Sequence, residues 1–590
     1  MFDLRKYEIF IKLFFGTIFF VFCVKFNFEN MKKILLRFLM LGFLVGSYTV
    51  GSACTNFLVT KGASKDGSTM ISYAADSHLL YGELYYRPAA DYRKGTMVKV
   101  YVWDTGKFLG EIAQVEHTYS VVGNVNEHQL AIGETTYGGR SELRDTTGII
   151  DYGSLIYLTL QRAKTAREAI KVMTELVAEY GYCSSGESFS IADANEVWIM
   201  ELIGNGPGKT GAIWVARMIP DGYISAHANH ARIMTFPNAK KNNWDNPKQT
   251  TFHSKDIISF AREMGYYEGK DEDFSFSETY APVDFGGARF CEMRVWAFFN
   301  DITEGMEKHW EYAKGNIEHD ENGYATNRMP LWVKPTEKVD VYTVMENMRN
   351  HLEGTELDMS NDIGAGAFGK PYRWRPLTWE VDGVQYCNER ATATQQTAFS
   401  FVAQMRSWMP DPIGGINWFA VDDAATTVYV PFYCGMTESP KSFAEGFGSL
   451  MDFNYDAAFW VFNMVSNFTY TRYNLIYPDV REVQQSLEKR FIKETVEMQD
   501  KLKSLYEKNP EEAIAMATKY SVSTADQTTE RWQRLFESLF VKYMDGNVKE
   551  KAEPKENYKY VNPKLEQPGY GEAWYRKIIE ETGDQFKMKE

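Results

Sequence analysis

Gly51-Ser-Ala-Cys54 joins two unlike stretches of sequence, and the junction fixes where the folded body has to begin. Upstream, Met31-Lys32-Lys33 leads an apolar run centred on 38–45, followed by small residues at Gly51 and Ala53. Charge, apolar run and small residues, in that order, make an export signal, and the run is short for a membrane span. Downstream, Cys-Thr-Asn-Phe-Leu-Val-Thr reads at once as a strand. One cleavage at the junction makes Cys54 the first residue of the mature chain. Thiol and free α-amine then sit on one residue, a nucleophile beside a base.

Residues 9–24 are also apolar, but Lys12 interrupts them and Lys25 follows. With a second signal-like segment starting at Met31, residues 1–30 read as an upstream misassigned start, the alternative being an amino-terminal membrane anchor. Removing 53 of the 590 residues leaves 537, more than one ordinary domain but within reach of one elaborated enzyme. The mature chain keeps 57 Lys and Arg against 76 Asp and Glu, a net charge of −19. That balance argues against nucleic acid and anionic membrane as partners, since both require a positive footprint. Five cysteines remain, and an odd number leaves at least one thiol unpaired in an oxidising compartment. The other four form up to two disulfides or are buried thiols; a core this large has no need of staples, so buried thiols are expected.

Residues 54–60 and 69–74 read as a hairpin around Asp66-Gly67, and short strands follow at 84–87, 97–103, 117–122 and 130–134. A helical region covers 154–180, its second half opened by the capping-box pattern Thr165-Ala-Arg-Glu168. A β meander runs through 188–192, 197–202, 212–217 and 223–228, and a late strand pair at 418–421 and 427–432 completes the sheet. From Pro478 the pattern is amphipathic helix, stopped at Asn509-Pro510 and resumed up to Gly546. Sheet, helices and sheet again give an α+β class, divided into a signal segment 1–53, a catalytic domain 54–477 and a helical appendage 478–590, with 547–570 as a charged arm.

Attack on an amide needs thiolate, and a free thiol titrates near ~8.5 while an α-amine titrates near ~7.7–8.0. The amine of Cys54 can therefore take the thiol proton and hand it to the leaving nitrogen without a histidine. The competing readings are a lipidated cysteine and an ordinary buried one; the lipobox reading lacks the usual Leu three residues before the Cys, where Gly51 stands. Gly204-Asn-Gly-Pro-Gly-Lys-Thr210 misses phosphate-loop spacing, because Ile203 occupies the first Gly position. There is no His-Glu-x-x-His, no cysteine pair at ligand spacing and no Gly-x-Ser-x-Gly, so neither a metal nor a cofactor is expected.

Cys54-Thr, Lys65-Asp-Gly-Ser-Thr69, Asp76-Ser77, Asn126-Glu127, Glu134-Thr135, Pro220-Asp-Gly-Tyr-Ile-Ser-Ala-His-Ala-Asn229, Arg289-Phe290, Tyr429-Val-Pro-Phe-Tyr433 and Gly569-Tyr-Gly-Glu-Ala-Trp574 spread over nearly all of 54–580. Together they resemble the secreted dipeptidase family of N-terminal-nucleophile cysteine hydrolases, and more distantly the penicillin V acylases and bile salt hydrolases. The resemblance implies a four-layer αββα core with the Cys at the end of a central strand. It implies that Asp76 takes a hydrogen bond from the α-ammonium, that Asn229 donates its amide to the oxyanion, and that Arg294 lowers the thiol pKa or orients Asp76, with Arg289 as its competitor. Where the related acylases carry an Arg or another polar residue shortly before the Asp, this chain has Tyr73-Ala-Ala. Glu134 is expected to hold a substrate ammonium, with Thr135 and Asn126 beside it. The function implied is an exported dipeptidase, periplasmic or extracellular, working through a thioester. The alternatives are an acylase on acylated small molecules and a Cys-lipidated envelope binding protein. The partners expected are a dipeptide or short peptide and a signal peptidase, with a second copy of the chain left open.

Overall fold

The computed structural model describes residues 54–239, 241–553 and 561–589. The expected export signal and cleavage junction lie outside the described residues. The framework consists of strands β1 (Asn56–Val59), β2 (Thr69–Asp76) and β3 (Ala131–Gly138), helices α1 (Tyr152–Leu160) and α2 (Ala166–Tyr180), and strands β4 (Gly186–Ala192), β5 (Val197–Gly204), β6 (Ala212–Met218) and β7 (Ile224–His227). After these come α3 (Met293–Ile302), α4 (Val341–Asn347), β8 (Thr397–Met405), β9 (Ile416–Val421), β10 (Val430–Tyr433), α5 (Ala458–Thr471), α6 (Tyr473–Lys508) and α7 (Pro510–Tyr543).

Among the described residues two large antiparallel sheets form. The first runs Trp332–Val333, β7, β1, β2, β8, β9, β10, and the second has β6, β5, β4 and β3 at its centre. The expected hairpin is β1–β2, with Leu58 opposite Ile71. The expected four-strand meander divides. Its first three strands join the second sheet, whereas β7 crosses to the first and pairs with β1. The turn before β7 explains this: Thr60 Oγ1 accepts from the Gly222 and Tyr223 N–H groups at 3.0 and 3.1 Å, and the Gly62 N–H donates to Asp221. The hairpin turn is thus bonded to the end of β1 instead of closing on β6.

The second sheet lies on the first where β3 and β4 meet β1 and β2. At Gly133 the approach is so close that a Cβ would fall 2.7 Å from the Asn56 amide and 3.2 Å from Tyr73 Cβ, so only glycine fits there. Helices α1 and α2 cover the second sheet. Asp151 and Thr165 cap them by accepting from Ser154 N and Glu168 N, and α2 buries Ile170 and Met173 against Phe189 and Trp198. Each such side chain contributes about 1.5–3 kcal/mol.

Helices α6 and α7 share one core with the first sheet, where Leu487, Phe491, Ala525 and Trp532 join Phe432 and Tyr433. The Tyr433 N–H donates to Ser521 at 3.1 Å, and buried Glu488 pairs with Arg349 and accepts from the Tyr429 N–H. The helical segment is therefore a layer of the same body, and the expected boundary at 477 falls inside α6. Residues Val548–Glu550 and Lys564–Glu566 pair as a short hairpin within the expected arm. No helix among the described residues is long and apolar enough to cross a membrane.

Candidate active site around Cys54

Strand register brings the site together. Asn56 pairs with His227 across β1 and β7, so two residues further out Cys54 lies opposite Asn229. Thr55 bridges to Ala74, which sets Cys54 beside Ala75 and Asp76 at the end of β2. Thr397 then faces Asp76 across β2 and β8.

Asn229 is the pivot. Its φ of +59° lies in the left-handed region, where a non-glycine residue is held only by its surroundings. Its Oδ1 accepts from the Cys54 nitrogen at 2.8 Å and from Arg294 Nη2 at 2.9 Å, while its Nδ2 donates to the Thr136 carbonyl at 2.8 Å. The guanidinium can only donate and the carbonyl can only accept, so the amide orientation is fixed. This corrects the expected oxyanion role: the side chain presents its oxygen, not its nitrogen, to Cys54.

Arg294, on α3 just after the π-helical turn Gly287–Glu292, is fully buried. It donates to the Cys54 carbonyl (2.6 Å), Thr55 Oγ1 (2.8 Å), the Ala228 carbonyl (3.2 Å) and the Phe290 carbonyl (2.8 Å), besides Asn229. Burial lowers its pKa to about 10. It grips the backbone of Cys54, and the attraction between its charge and the Cys54 sulfur acts in the expected direction, but burial outweighs it and leaves the thiol raised. Arg289 is occupied elsewhere, in a bidentate pair with Glu389 and a bond to the Lys314 carbonyl.

Asp76 is fully buried at the end of β2. Its carboxylate accepts from Arg390 Nη2 at 2.5 Å and Thr397 Oγ1 at 2.6 Å, and its backbone N–H points at the Cys54 sulfur. The expected contact between this carboxylate and the α-amine gives way to an ion pair with Arg390.

The sulfur faces carboxylate and phenol. Cys54 Sγ lies 3.7 Å from Glu134 Oε1 and 3.8 Å from Tyr73 Oη, and the Tyr73 hydroxyl donates to Glu134 Oε1 at 2.6 Å. Burial, reinforced by Glu134 and Asp76, pushes the thiol well above its ordinary pKa. The resting Cys54 side chain is therefore a neutral thiol, and any attack by its sulfur requires a base to take the proton. Burial raises Glu134 to about 7.

Thr135 and Asn126 serve the framework. Asn126 Nδ2 donates to the Leu160 and Ala163 carbonyls at 2.7 Å, and its Oδ1 accepts from His128 N and Leu130 N, which leaves the substrate role expected of it without a group to fill it. Thr135 Oγ1 lies 2.7 Å from His227 Nδ1, and His227 Nε2 lies 2.7 Å from Ser190 Oγ. Asn56, with its amide oriented to satisfy both ends, accepts from Ser190 and from the Glu134 N–H, and donates to the Glu134 carbonyl at 2.9 Å. Ser190 thus gives its proton to Asn56 and accepts from Nε2, so His227 is protonated on Nε2 and takes the Thr135 proton on Nδ1. Burial lowers His227 to about 3, so it stays neutral.

Tyr73, Glu187 and Arg390 escaped the sequence reading. Only Tyr73 left a signal there, as the aromatic residue standing where related chains carry a polar one. Among the described residues no group of three or more His, Cys, Asp or Glu side chains is placed to hold a metal ion. All five described cysteines are free thiols, three of them buried.

Comparison with known proteins bears on this geometry. The model of peptidase family C69 matches residues 53–486. A probable dipeptidase of Salmonella dublin is 23% identical over 407 residues, covering 65% of this chain and 81% of that protein. A probable dipeptidase B of Streptococcus pyogenes serotype M1 is 21% identical over 538 residues, covering 88% of this chain and 98% of that protein. A match that takes in Cys54, Asp76, Glu134, Asn229 and Arg294 together shows that the chain belongs to peptidase family C69, a cysteine peptidase family of the N-terminal-nucleophile kind, and that it is a hydrolase.

Proposed function

We propose that this protein is an exported dipeptidase whose nucleophile is Cys54 at the amino terminus of the processed chain. The observation that carries the reading is the 3.7 Å separation between Cys54 Sγ and Glu134 Oε1. In any amino acid the α-nitrogen and the carbonyl carbon are about 2.5 Å apart, from bond lengths and the angle between them. An ammonium held by Glu134 therefore sets the carbonyl of the same residue over the sulfur, so that cleavage follows the first residue. An acylase for neutral acyl groups has no use for a buried carboxylate at that distance. The probable dipeptidases to which the chain is similar point the same way.

In this mechanism the Cys54 amine, held through Asn229 Oδ1, takes the thiol proton as sulfur attacks the carbonyl carbon. The ammonium so formed protonates the leaving nitrogen, the second residue departs, and a thioester remains. Water, deprotonated by the same amine, then releases the first residue. Arg294 holds the Cys54 carbonyl and Asn229 in register, which fixes the amine against the sulfur. The two sheets packed face to face, with helices on each, support the four-layer αββα arrangement for the core. The signal-like segment before Cys54 supports export and processing by a signal peptidase.

Intact mass with amino-terminal peptide mapping, followed by an assay with alanylalanine, tests the proposal. A chain beginning at unmodified Cys54 that releases alanine supports it. A blocked or lipidated Cys54, or a correctly processed chain that leaves the dipeptide intact, overturns it.

A further inference from the structure

Glu187 on β4 lies beside Glu134, and the mechanism above leaves it unused. The register sets Glu134 opposite Phe189 and Thr136 opposite Glu187, so the two glutamates are diagonal neighbours on one face of the second sheet. Both are 1% exposed. Glu187 Oε1 accepts from Thr136 Oγ1 at 2.7 Å, and Glu134 Oε1 accepts from Tyr73, but Oε2 of each carboxyl has no donor. The two carboxyls act directly on one another's proton affinity, and two carboxylates so placed can bond each other only once one of them takes up a proton.

The other titratable groups facing the pair are acidic or phenolic. Asp104 lies near both and is itself bonded to the Tyr152 hydroxyl at 2.6 Å, and Tyr73, Tyr137, Tyr152, Tyr157, Tyr182 and the Cys54 thiol stand around the pair. Among the described residues no Lys or Arg side chain forms an ion pair with either glutamate. Burial and the neighbouring Glu134 push Glu187 well above the usual carboxylate range. Two buried carboxyls that pair with no Lys or Arg among the described residues, each offering an oxygen that lacks a donor, match a small cation that brings several N–H donors of its own.

Resting on the dipeptidase reading, we propose that Glu187 is the second half of the substrate-ammonium site. The α-ammonium of an unblocked peptide bonds Glu134 Oε2 and Glu187 Oε2 and displaces the proton that the pair shares in the free enzyme. The balance is one proton released to solvent for each substrate bound, and no covalent bond changes. The site then selects peptides with a free, protonated amino terminus and rejects N-acyl peptides, which bring no charge and a single N–H. Glu187 is a specificity-determining residue that never touches the scissile bond.

The test compares kcat/KM for alanylalanine and N-acetylalanylalanine across pH, in the wild-type enzyme and in Glu187→Gln. The variant keeps the side-chain length and the partner of Thr136, and it removes one negative charge. The preference for the free dipeptide is expected to fall about 10- to 100-fold, the equivalent of one charge-assisted hydrogen bond, and to appear in KM. The acid limb of kcat/KM is expected to move to lower pH, because the amide introduced by Glu187→Gln donates permanently to Glu134 and favours its ionised form. Glu187→Asp, which keeps the charge, restores part of the preference. An equal loss on both substrates with an unmoved limb marks a merely structural residue and overturns the inference while the dipeptidase reading stands. Failure of the wild-type enzyme to cleave alanylalanine removes both.

Discussion

Asn229 and Cys54 are 175 positions apart in the chain, yet register sets them opposite each other, with Asn229 Oδ1 accepting from the Cys54 nitrogen at 2.8 Å. For the free amine proposed at Cys54, an acceptor that holds one N–H limits how the nitrogen can turn and so orients its lone pair. The amide is held in turn by Arg294 and by the Thr136 carbonyl, so each sheet contributes to aiming the base.

Asn229→Ala removes that aim without touching the thiol. A drop of about 10²-fold in kcat is expected, the size of effect that follows when a reacting group loses its orientation. Alkylation of Cys54 by iodoacetamide is expected to remain measurable. A variant that keeps wild-type kcat shows that the amine needs no orienting acceptor.

Arg294 and Arg289 lie close in sequence but have different work. Arg294→Lys cannot reproduce the fork that spans Cys54, Thr55, Ala228 and Asn229. The loss expected is about 10²-fold in kcat and about 2–4 kcal/mol in stability, as buried acceptors go without donors. Arg289→Ala breaks only the Glu389 pair and the Lys314 carbonyl bond, and it leaves kcat/KM essentially unchanged. Steady-state kinetics and urea denaturation of the two variants separate these outcomes.

Burial raises Glu134 to about 7, and binding an ammonium requires its ionised form. Activity on dipeptides is therefore expected to fall as pH drops through 7, through a rise in KM. The bond from Tyr73 favours the ionised form, so Tyr73→Phe raises the Glu134 pKa and moves the acid limb to higher pH. A limb that stays in place in Tyr73→Phe shows that another group controls it.

His227 binds Thr135 with one ring nitrogen and Ser190 with the other, both at 2.7 Å and all buried. His227→Leu takes the acceptor from the Thr135 hydroxyl and one of two partners from Ser190, which keeps its bond to Asn56, at an expected cost of about 1–3 kcal/mol. Its neutral ring takes no part in proton transfer, so the pH profile of any folded variant is expected to match wild type. Chemical denaturation gives the first quantity and the kcat/KM profile the second.

Local chemistry was legible in the sequence. The β1–β2 hairpin, the Thr165 cap and the Asn509-Pro510 break between α6 and α7 are written in residues a few positions apart, and such signals act before any tertiary contact forms. Position alone also singled out Cys54 and its paired thiol and amine. Strand β8 was missed, although it pairs with β2 over almost its whole length, because it is buried on both faces and its polar residues, Thr397, Ser400 and Gln404, fall at irregular spacing that gives no alternation to follow. The site partners were missed for a different reason. Asp76 meets Arg390 across 314 positions, Cys54 meets Glu134 across 80, and β7 leaves the meander for the other sheet. The sequence by itself determined the candidate nucleophile and most of the segments that become strand or helix. Only the tertiary structure decided that Asn229 turns its oxygen to Cys54, that Arg294 bonds the Cys54 backbone, and that Glu187 stands next to the Glu134 that faces the thiol. Side-chain roles of this kind follow from strand register and sheet packing, which no local pattern encodes.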